Sequence, residues 1–485
     1  MIPNRALGRL KSIVGGENFL DSPEHKIVYS YDATPLLKHI PDAILIPRST
    51  DQISEILKLA NEEKFAVVPR GSGSGLSGGS IPVENSVVLL MTHWNHILEI
   101  DRSNLTVWVE PGVITGQVHA AVEDLGLFYP PDPGSSAICT IGGNVAENAG
   151  GLRGLKYGVT KNYVMGMEVV LPTGERFVMG GKSMKDVAGY NLKDFLVGSE
   201  GTLGVFTKIL LKLIPKPVTT ATMLVFFDKI SEAAETASDV IASKVTPAAL
   251  EFLDQTTVKC VEEFAHVGLP SSIGALLMIE LDGRPYSVRE DVELVRTICG
   301  RHHAVEIREA STNEDAAKLR SARKVAFSAL ARVRPTTILE DATVPRSEIA
   351  PMLEQIDRIT EKYNLLFGNF GHAGDGNLHP TCLTDERDSD EINRAHEAFD
   401  EIFTHAVKLG GTITGEHGTG LAKKQFFEKI AGPAQIGMMR AIKNAIDPNS
   451  VLNPGKVFSL SPKCEGSMPK SQEQLRRFTE LGAYT

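Results

Sequence analysis

The stretch IPRSTDQISEILKLANEEKFAVVPRG, Ile46 to Gly71, changes its hydrophobic period twice. After a short apolar lead-in come Ser49, Thr50 and Asp51, which suit a helix cap. Ile53, Ile56, Leu57 and Ala60 then recur on one helical face, and FAVVPR reads as a strand ending at Arg70. Alternation of this kind fills residues 41–215, the signature of α/β architecture. The Pro-marked segment LIPKPVTT, Leu213 to Thr220, interrupts it; ATMLVFF then predicts a strand, and a helix begins near Lys229. From about residue 221 to 415, strands such as ALLMIEL (Ala275–Leu281) alternate with long helical stretches, including Glu391 to Leu409, which predicts a second α/β or α+β unit. Domains are therefore expected at 1–216 and 217–415, followed by a C-terminal segment, 416–485, whose polar tail from Ser459 carries no predicted secondary structure.

Composition narrows the class. The 485 residues exceed one ordinary core, and 42% hydrophobic with 23% charged residues excludes a disordered chain. A formal net charge of −10 disfavours nucleic acid as a partner, because phosphate binding draws on a Lys/Arg surplus. Cys139, Cys260, Cys299, Cys382 and Cys464 are scattered, with neither CxxC nor iron–sulfur spacing, as expected of a reduced cytosolic chain. The N-terminal MIPNRALGRLKSIVGG has no continuous apolar run, and Val87–Met91 and Met223–Phe227 are too short to span a bilayer. A cytoplasmic location is expected, with any membrane contact peripheral and through a partner.

Candidate chemistry begins with PRGSGSGLSGGSIP, Pro69 to Pro82. A dinucleotide fingerprint or a Walker loop would open a helix, but this loop runs through Ile81–Pro82 into the strand SVVLLM, and no GK[ST] closes it. Its glycines and serines can still form a nest of N–H donors for an anion with Arg70 beside it; a flexible loop is the alternative. Two more glycine-rich segments follow, PPDPGSSAICTIGGNVAENAGG (Pro130–Gly151) and GSEGTLGV (Gly198–Val205). Together the three suggest backbone lying close against one large, flat, polyphosphate-bearing ligand.

A different concentration occurs in GNFGHAGDGNLHP, Gly368 to Pro380, where a turn-forming GDGN separates His372 from His379. Downstream, TITGEHGTG reads as a strand-like run delivering Glu416 and His417 into a glycine-rich turn. Two imidazoles and a carboxylate could hold a divalent metal such as zinc or manganese, with positions left open for substrate. With thirteen histidines in the chain, ordinary core or surface roles stand as the alternative. Asp375, between two glycines, reads as a turn-former, and Asn377 either contacts substrate or closes the turn. The helical stretch Ala316 to Arg334 offers Arg320 and Arg323 as a fork for a substrate carboxylate.

The ordered set PRGSGSGLSGG, TIGGNVAENAGGLRGLKYG, GSEGTLGV, HAGDGNLH, GEHG and NPGK resembles the FAD-dependent oxidases and dehydrogenases of the vanillyl-alcohol-oxidase type, in particular the glycolate oxidase FAD subunit and D-lactate dehydrogenase branch, over roughly residues 20–458. The resemblance implies an α+β fold: a two-subdomain FAD-binding domain, an α/β substrate or cap domain, and a C-terminal segment returning to the FAD domain. It implies that FAD is held by Arg70, Gly71, Ser72, Gly73, Ser74, Gly75, Leu76, Ser77 and Gly78, then by Asp132, Thr140, Gly142, Gly143, Asn144, Asn148, Gly150 and Gly158, and finally by Glu200, Gly201, Gly204, Val205 and Asn453. Some relatives attach FAD through a histidine in the first loop; this loop has none, so non-covalent FAD is expected. The same resemblance places metal ligands at His372, His379 and Glu416 and the carboxylate anchor at Arg323; His417, the fourth group, is then free to act as a base. Ile338 and Leu339 stand where some dicarboxylate-specific relatives carry a lysine, which favours a small monocarboxylate.

The expected activity is oxidation of a small D-2-hydroxy acid, of the D-lactate or glycolate type, to the 2-oxo acid. Electrons would pass to a separate acceptor: an electron-transfer flavoprotein, an iron–sulfur subunit, a quinone or oxygen. A homodimer is compatible with the sequence. Flavin-dependent alkyl transfer of the ether-lipid type is the alternative, and would require an apolar channel that no segment suggests.

Overall fold

The computed structural model describes residues 1–459 apart from Ser271; the polar tail beyond 459, Cys464 included, lies outside the described residues. Three larger sheets and one two-stranded pairing organise them. In the first, Ala43–Leu45, Ser86–Leu90 and Ala66–Arg70 run parallel, with Phe19–Leu20 antiparallel at one edge. The Ser49 side chain caps the helix Thr50–Glu63 by accepting from the Gln52 amide at 3.2 Å. Ile53, Ile56, Leu57 and Ala60 are fully buried between this sheet and the helix Asn4–Val14, each large aliphatic contributing about 1.5–3 kcal/mol. Ala66–Arg70 and Ser86–Leu90 are parallel neighbours joined by no helix. The glycine-rich loop itself makes the crossover, and so lies at the carboxyl end of a buried strand.

The second sheet departs from the parallel architecture that the alternation suggests. Its order is Ile97–Asp101, Thr106–Val109, Val205–Lys212, Val164–Val170 and Arg176–Gly180, and every pairing is antiparallel. A tight connection forces this at its start: the Asp101 carboxylate accepts from the Ser103 and Asn104 amides at 3.0 Å and folds the chain straight back.

The third sheet, also antiparallel, carries eight strands, among them Thr219–Phe227, Ala275–Gly283, Ala249–Asp254, Leu366–His372 and Asn377–Thr384. Met223, Val225 and Phe227 join the core formed with the helices Ile230–Ala242, Pro285–Arg301, Ile349–Tyr363 and Ser389–Lys408. Leu224 and Phe226 join the opposite core, with Val258, Val261, Ala322 and Ala326. Because both faces are covered, ATMLVFF is continuously apolar instead of alternating. The first strand opens directly after Ile214–Pro215, which still pairs with Leu127–Phe128. Val451–Asn453 comes back beside Val67, whose amide donates to the Val451 carbonyl at 2.7 Å.

Two local expectations are corrected. TITGEHGTG is a loop and not a strand: only Thr412 makes a β-bridge, to Thr343, and the amides that follow turn towards a side chain described below. The helical stretch Ala316–Arg334 divides at Val325 (φ −90°, ψ 0°) into Asn313–Lys324 and Ala326–Leu330.

Candidate active site

A cleft of about 570 Å³ runs from the glycine-rich loop, past the helix Ile141–Glu147, to one face of the third sheet. At one end lies Arg70, 6% exposed, with no hydrogen-bond partner at Nε or Nη1. Gly73 takes φ +75°, and a Cβ there would strike this guanidinium. A buried cation with unfilled donors beside backbone that must stay bare of side chains fits a pyrophosphate. Thr140 caps the helix Ile141–Glu147 through the Gly143 amide at 3.3 Å, and its hydroxyl stands where a Cβ on Gly71 would fall.

The residues expected to hold FAD divide by position. Arg70 to Leu76, Thr140, Gly142, Gly143, Asn144, Gly150, Glu200, Gly201, Gly204 and Val205 line the cleft. Ser77, Gly78, Asp132, Asn148, Gly158 and Asn453, expected beside them, do not line it. The Ser77 carbonyl accepts from the Leu421 and Ala422 amides at 2.8 and 3.0 Å, and Gly78 packs at φ +75°. Asp132 pairs with Arg153 at 3.5 Å. Asn148 closes the helix in the left-handed region, and Gly158 ends the short helix Gly154–Tyr157 at φ +82°. The Asn453 amide donates to the Gly79 and Glu200 carbonyls at 2.9 and 2.8 Å. Glu200 lines the cleft, yet its carboxylate is taken up by the Thr419 and Gly420 amides at 2.7 and 2.6 Å.

At the other end four side chains from two distant segments meet. The hairpin Leu366–His372 and Asn377–Thr384 pairs Phe370 with His379 and His372 with Asn377 across its turn, which sets both histidines in its buried region. His372 Nε2 and His379 Nε2 lie 3.2 and 3.3 Å from Glu416 Oε1, and one ligand atom from each of the three falls within 4.8 Å of the others. His417 stacks on His379, ring centroids 5.2 Å apart and planes 14° from parallel, with its Nε2 3.7 Å from Glu416 Oε1. A Cβ on Gly150 would come within 2.6 Å of Glu416 Oε2, so the second glycine-rich segment is seated against this cluster.

Charges divide sharply here. Burial opposes ionisation of His372, but Glu251 and Glu416 on either side outweigh it and raise its pKa well above the ordinary value. Burial lowers that of His379 to about 4 against the pull of Glu416, keeping it neutral. Burial raises Glu416, but His372 and His379 more than offset this and hold it well below the usual carboxylate range. A neutral imidazole, a second one between carboxylates and an ionised carboxylate make a donor set that fits a divalent cation.

Three residues that sequence reasoning passed over organise the site. Asp341 Oδ2 accepts from three successive amides, Gly415, Glu416 and His417, at 2.6, 2.8 and 3.3 Å, while Oδ1 faces His417 Nδ1 at 3.5 Å. This gathering of amides is why the segment is a loop. Lys423, fully buried, pairs with Asp341 and with Glu340 at 3.0 Å, and its charge helps hold Asp341 ionised despite burial. Glu251, also fully buried, contacts both His372 and Arg323. The only signal in the sequence was acidic residues inside apolar strands, ALEFLD and TTILED.

Arg323 borders the cleft over the Phe370 ring, Cζ 4.7 Å from its centroid, whereas Arg320 pairs with Glu280 at 2.9 Å and does not reach it. Leu339 lines the cleft, but Ile338 points into the opposite core. Asn377 accepts from Thr343 Oγ1 at 3.1 Å, and Asp375 accepts from the Asn377 amide at 3.3 Å, so both close the turn.

Comparisons with known proteins show what the chain is similar to. Residues 41–180 match the family described as FAD binding domain, and residues 216–457 the one described as FAD linked oxidases, C-terminal domain. The chain is 54% identical over 459 residues to glycolate oxidase subunit GlcD of Bacillus subtilis, covering 95% of this chain and 98% of that one. It is 35% identical to a D-lactate dehydrogenase of Anaerostipes hadrus, covering 86% and 89%. The fold superposes on p-cresol methylhydroxylase with its substrate bound at a TM-score of 0.78 and 21% identity, over 94% of this chain and 96% of that one.

Proposed function

The chain belongs to the FAD-linked oxidase family, in its glycolate oxidase subunit and D-lactate dehydrogenase branch, and from this premise we propose that it oxidises a small D-2-hydroxy acid to the 2-oxo acid. The observation that carries the reading is the convergence of Arg323, His372, His379, Glu416 and His417 at one end of a cleft whose other end suits a pyrophosphate. In this reading residues 1–216 bind FAD non-covalently, 217–415 present the acid, and the C-terminal segment from 416, as far as residue 459, returns to the FAD-binding part.

Bound FAD supplies the two-electron acceptor for the α-hydride. His372, His379 and Glu416 would hold a divalent ion, and such an ion would supply a Lewis acid for the substrate hydroxyl. Arg323 pairs with the carboxylate through its terminal nitrogens. His417, with Nδ1 facing Asp341, presents Nε2 to take the hydroxyl proton. Loss of the hydroxyl proton to His417 would leave C2 to become the carbonyl once its hydride is accepted, the chemistry that FAD would supply when bound. The ionic character of this end of the cleft suits a short acid better than the fatty chain of an alkyl transferase.

Electrons leave through a separate acceptor, a flavoprotein, an iron–sulfur subunit or a quinone, since no two described cysteines form a cluster site. Among the described residues no helix is long and apolar enough to cross a membrane. The test is anaerobic bleaching of the flavin by a panel of D- and L-2-hydroxy acids, on protein that releases unmodified FAD when acid-denatured. Bleaching by glycolate or D-lactate is expected; failure with every acid would overturn the reading.

Arg323→Lys keeps the charge and loses the fork. It should lower kcat/KM for each active acid by about 10–10² fold, the range of a charged hydrogen bond, with FAD content unchanged. Arg320→Lys, held against Glu280 away from the cleft, should cost far less. Steady-state kinetics on both variants decide whether the anchor has been placed one helical turn out.

A further inference from the structure

The carboxylate of Glu251 lies between two groups that the proposed reaction uses separately. Its strand, Ala249–Asp254, sits beside Leu366–His372, with Glu251 directly opposite His372 in the antiparallel register. Opposed residues project from the same face of a sheet, so register alone brings the two side chains together. Both carboxylate oxygens lie within bonding distance of His372 Nδ1, at 2.8 and 2.9 Å. Oε2 also lies 2.7 Å from Arg323 Nε. The side chain of Glu251 is 1% exposed and that of Arg323 8%, so neither charge is relieved by water.

Arg323 is thereby held on two sides, by the Phe370 ring and by Glu251 at Nε. The Nε contact is an ion pair and not a geometric hydrogen bond. Phe370 and His372 are alternate residues of one strand and project from one face. One carboxylate and one strand therefore fix both the arginine and the ligating histidine.

We infer that Glu251 is a positioning residue that sets the separation between the metal site and the carboxylate anchor, by orienting His372 through Nδ1 and Arg323 through Nε at once. The inference rests on the functional reading above. A ligating histidine whose other nitrogen donates to a carboxylate is fixed in tautomer and ring orientation, and loss of such a partner costs about 10–100-fold in metal affinity. A guanidinium that loses its Nε partner can swing, and a two-point substrate then meets its two contacts at the wrong spacing.

The test is Glu251→Gln, which keeps the shape and removes the charge, with Glu251→Asp as a second variant that keeps the charge on a shorter stem. Zinc or manganese affinity is measured on the FAD-bound protein by chelator competition. Oxalate affinity is measured from the flavin spectrum with metal saturating. Glu251→Gln is expected to weaken metal binding 10–100-fold, and oxalate binding at least tenfold even with metal restored, with FAD content and Tm unchanged. Glu251→Asp should recover part of both. Combining Glu251→Gln with Arg323→Lys should weaken oxalate binding by much less than the product of the single effects. Glu251→Gln with both affinities within twofold of wild type would overturn the inference, as would loss of metal affinity alone. Losses accompanied by a lower Tm in both Glu251 variants, with no recovery in Glu251→Asp, would reduce Glu251 to a core residue. Wild-type protein that no 2-hydroxy acid bleaches would sink the functional reading instead, while the metal and oxalate titrations still return their own answer.

Discussion

His417→Ala is expected to leave FAD and metal contents near those of wild type while slowing flavin reduction by on the order of 10²–10⁴, the usual contribution of a general base. The separation of effects follows from where the ring is tethered. His417 Nε2 is 3.7 Å from the carboxylate that the other two histidines approach within 3.3 Å, and its Nδ1 faces Asp341 instead. Removing the ring deletes a proton acceptor and leaves His372, His379 and Glu416 in the chain, and Asp341 still gathers the Gly415 and Glu416 amides. Stopped-flow reduction under anaerobic conditions, paired with metal analysis of the same sample, reads both halves. Loss of metal from His417→Ala as complete as from a ligand variant would make His417 a ligand.

His379→Ala should behave in the opposite way, losing bound metal and activity together, with little recovered by added metal. His379 supplies a neutral imidazole: burial holds its pKa at about 4, so near neutral pH its lone pair needs no deprotonation to coordinate. Alanine leaves one imidazole and Glu416, too few donors for tight binding in competition with water. FAD content should not change, because the opposite end of the cleft carries the pyrophosphate side. Wild-type enzyme that stays fully active after exhaustive chelation would refute the ligand assignment altogether.

The parts of this molecule that were legible beforehand share one property: their cause is local. The cap at Ser49, the buried face Ile53, Ile56, Leu57 and Ala60, and the strand ending at Arg70 follow from a few consecutive side chains. So does the hairpin turn between His372 and His379. The ordering of the glycine-rich motifs carried the family. The antiparallel second sheet was not legible, because a β-branched run reports burial without direction. Nor was the looped GEHG segment, since the acceptor that bends it, Asp341, lies 74 to 76 residues upstream.

By itself, then, the sequence determined which groups are available and which backbone segments must stay free of side chains: two imidazoles about a tight turn, Glu416 and His417 in a glycine setting, and an anion loop at the end of a strand. Only the tertiary structure decided what those groups are electrically. His372 and His379 are the same residue type seven positions apart, yet Glu251 and Glu416 raise the pKa of one and burial lowers that of the other. Glu251 is 121 residues from His372, and Lys423 is 82 from Asp341, so neither pairing can be read from periodicity. Periodicity shows that a position is buried; the cost of burying a charge, and whether a partner meets it, is fixed by whatever strand or loop the fold lays alongside.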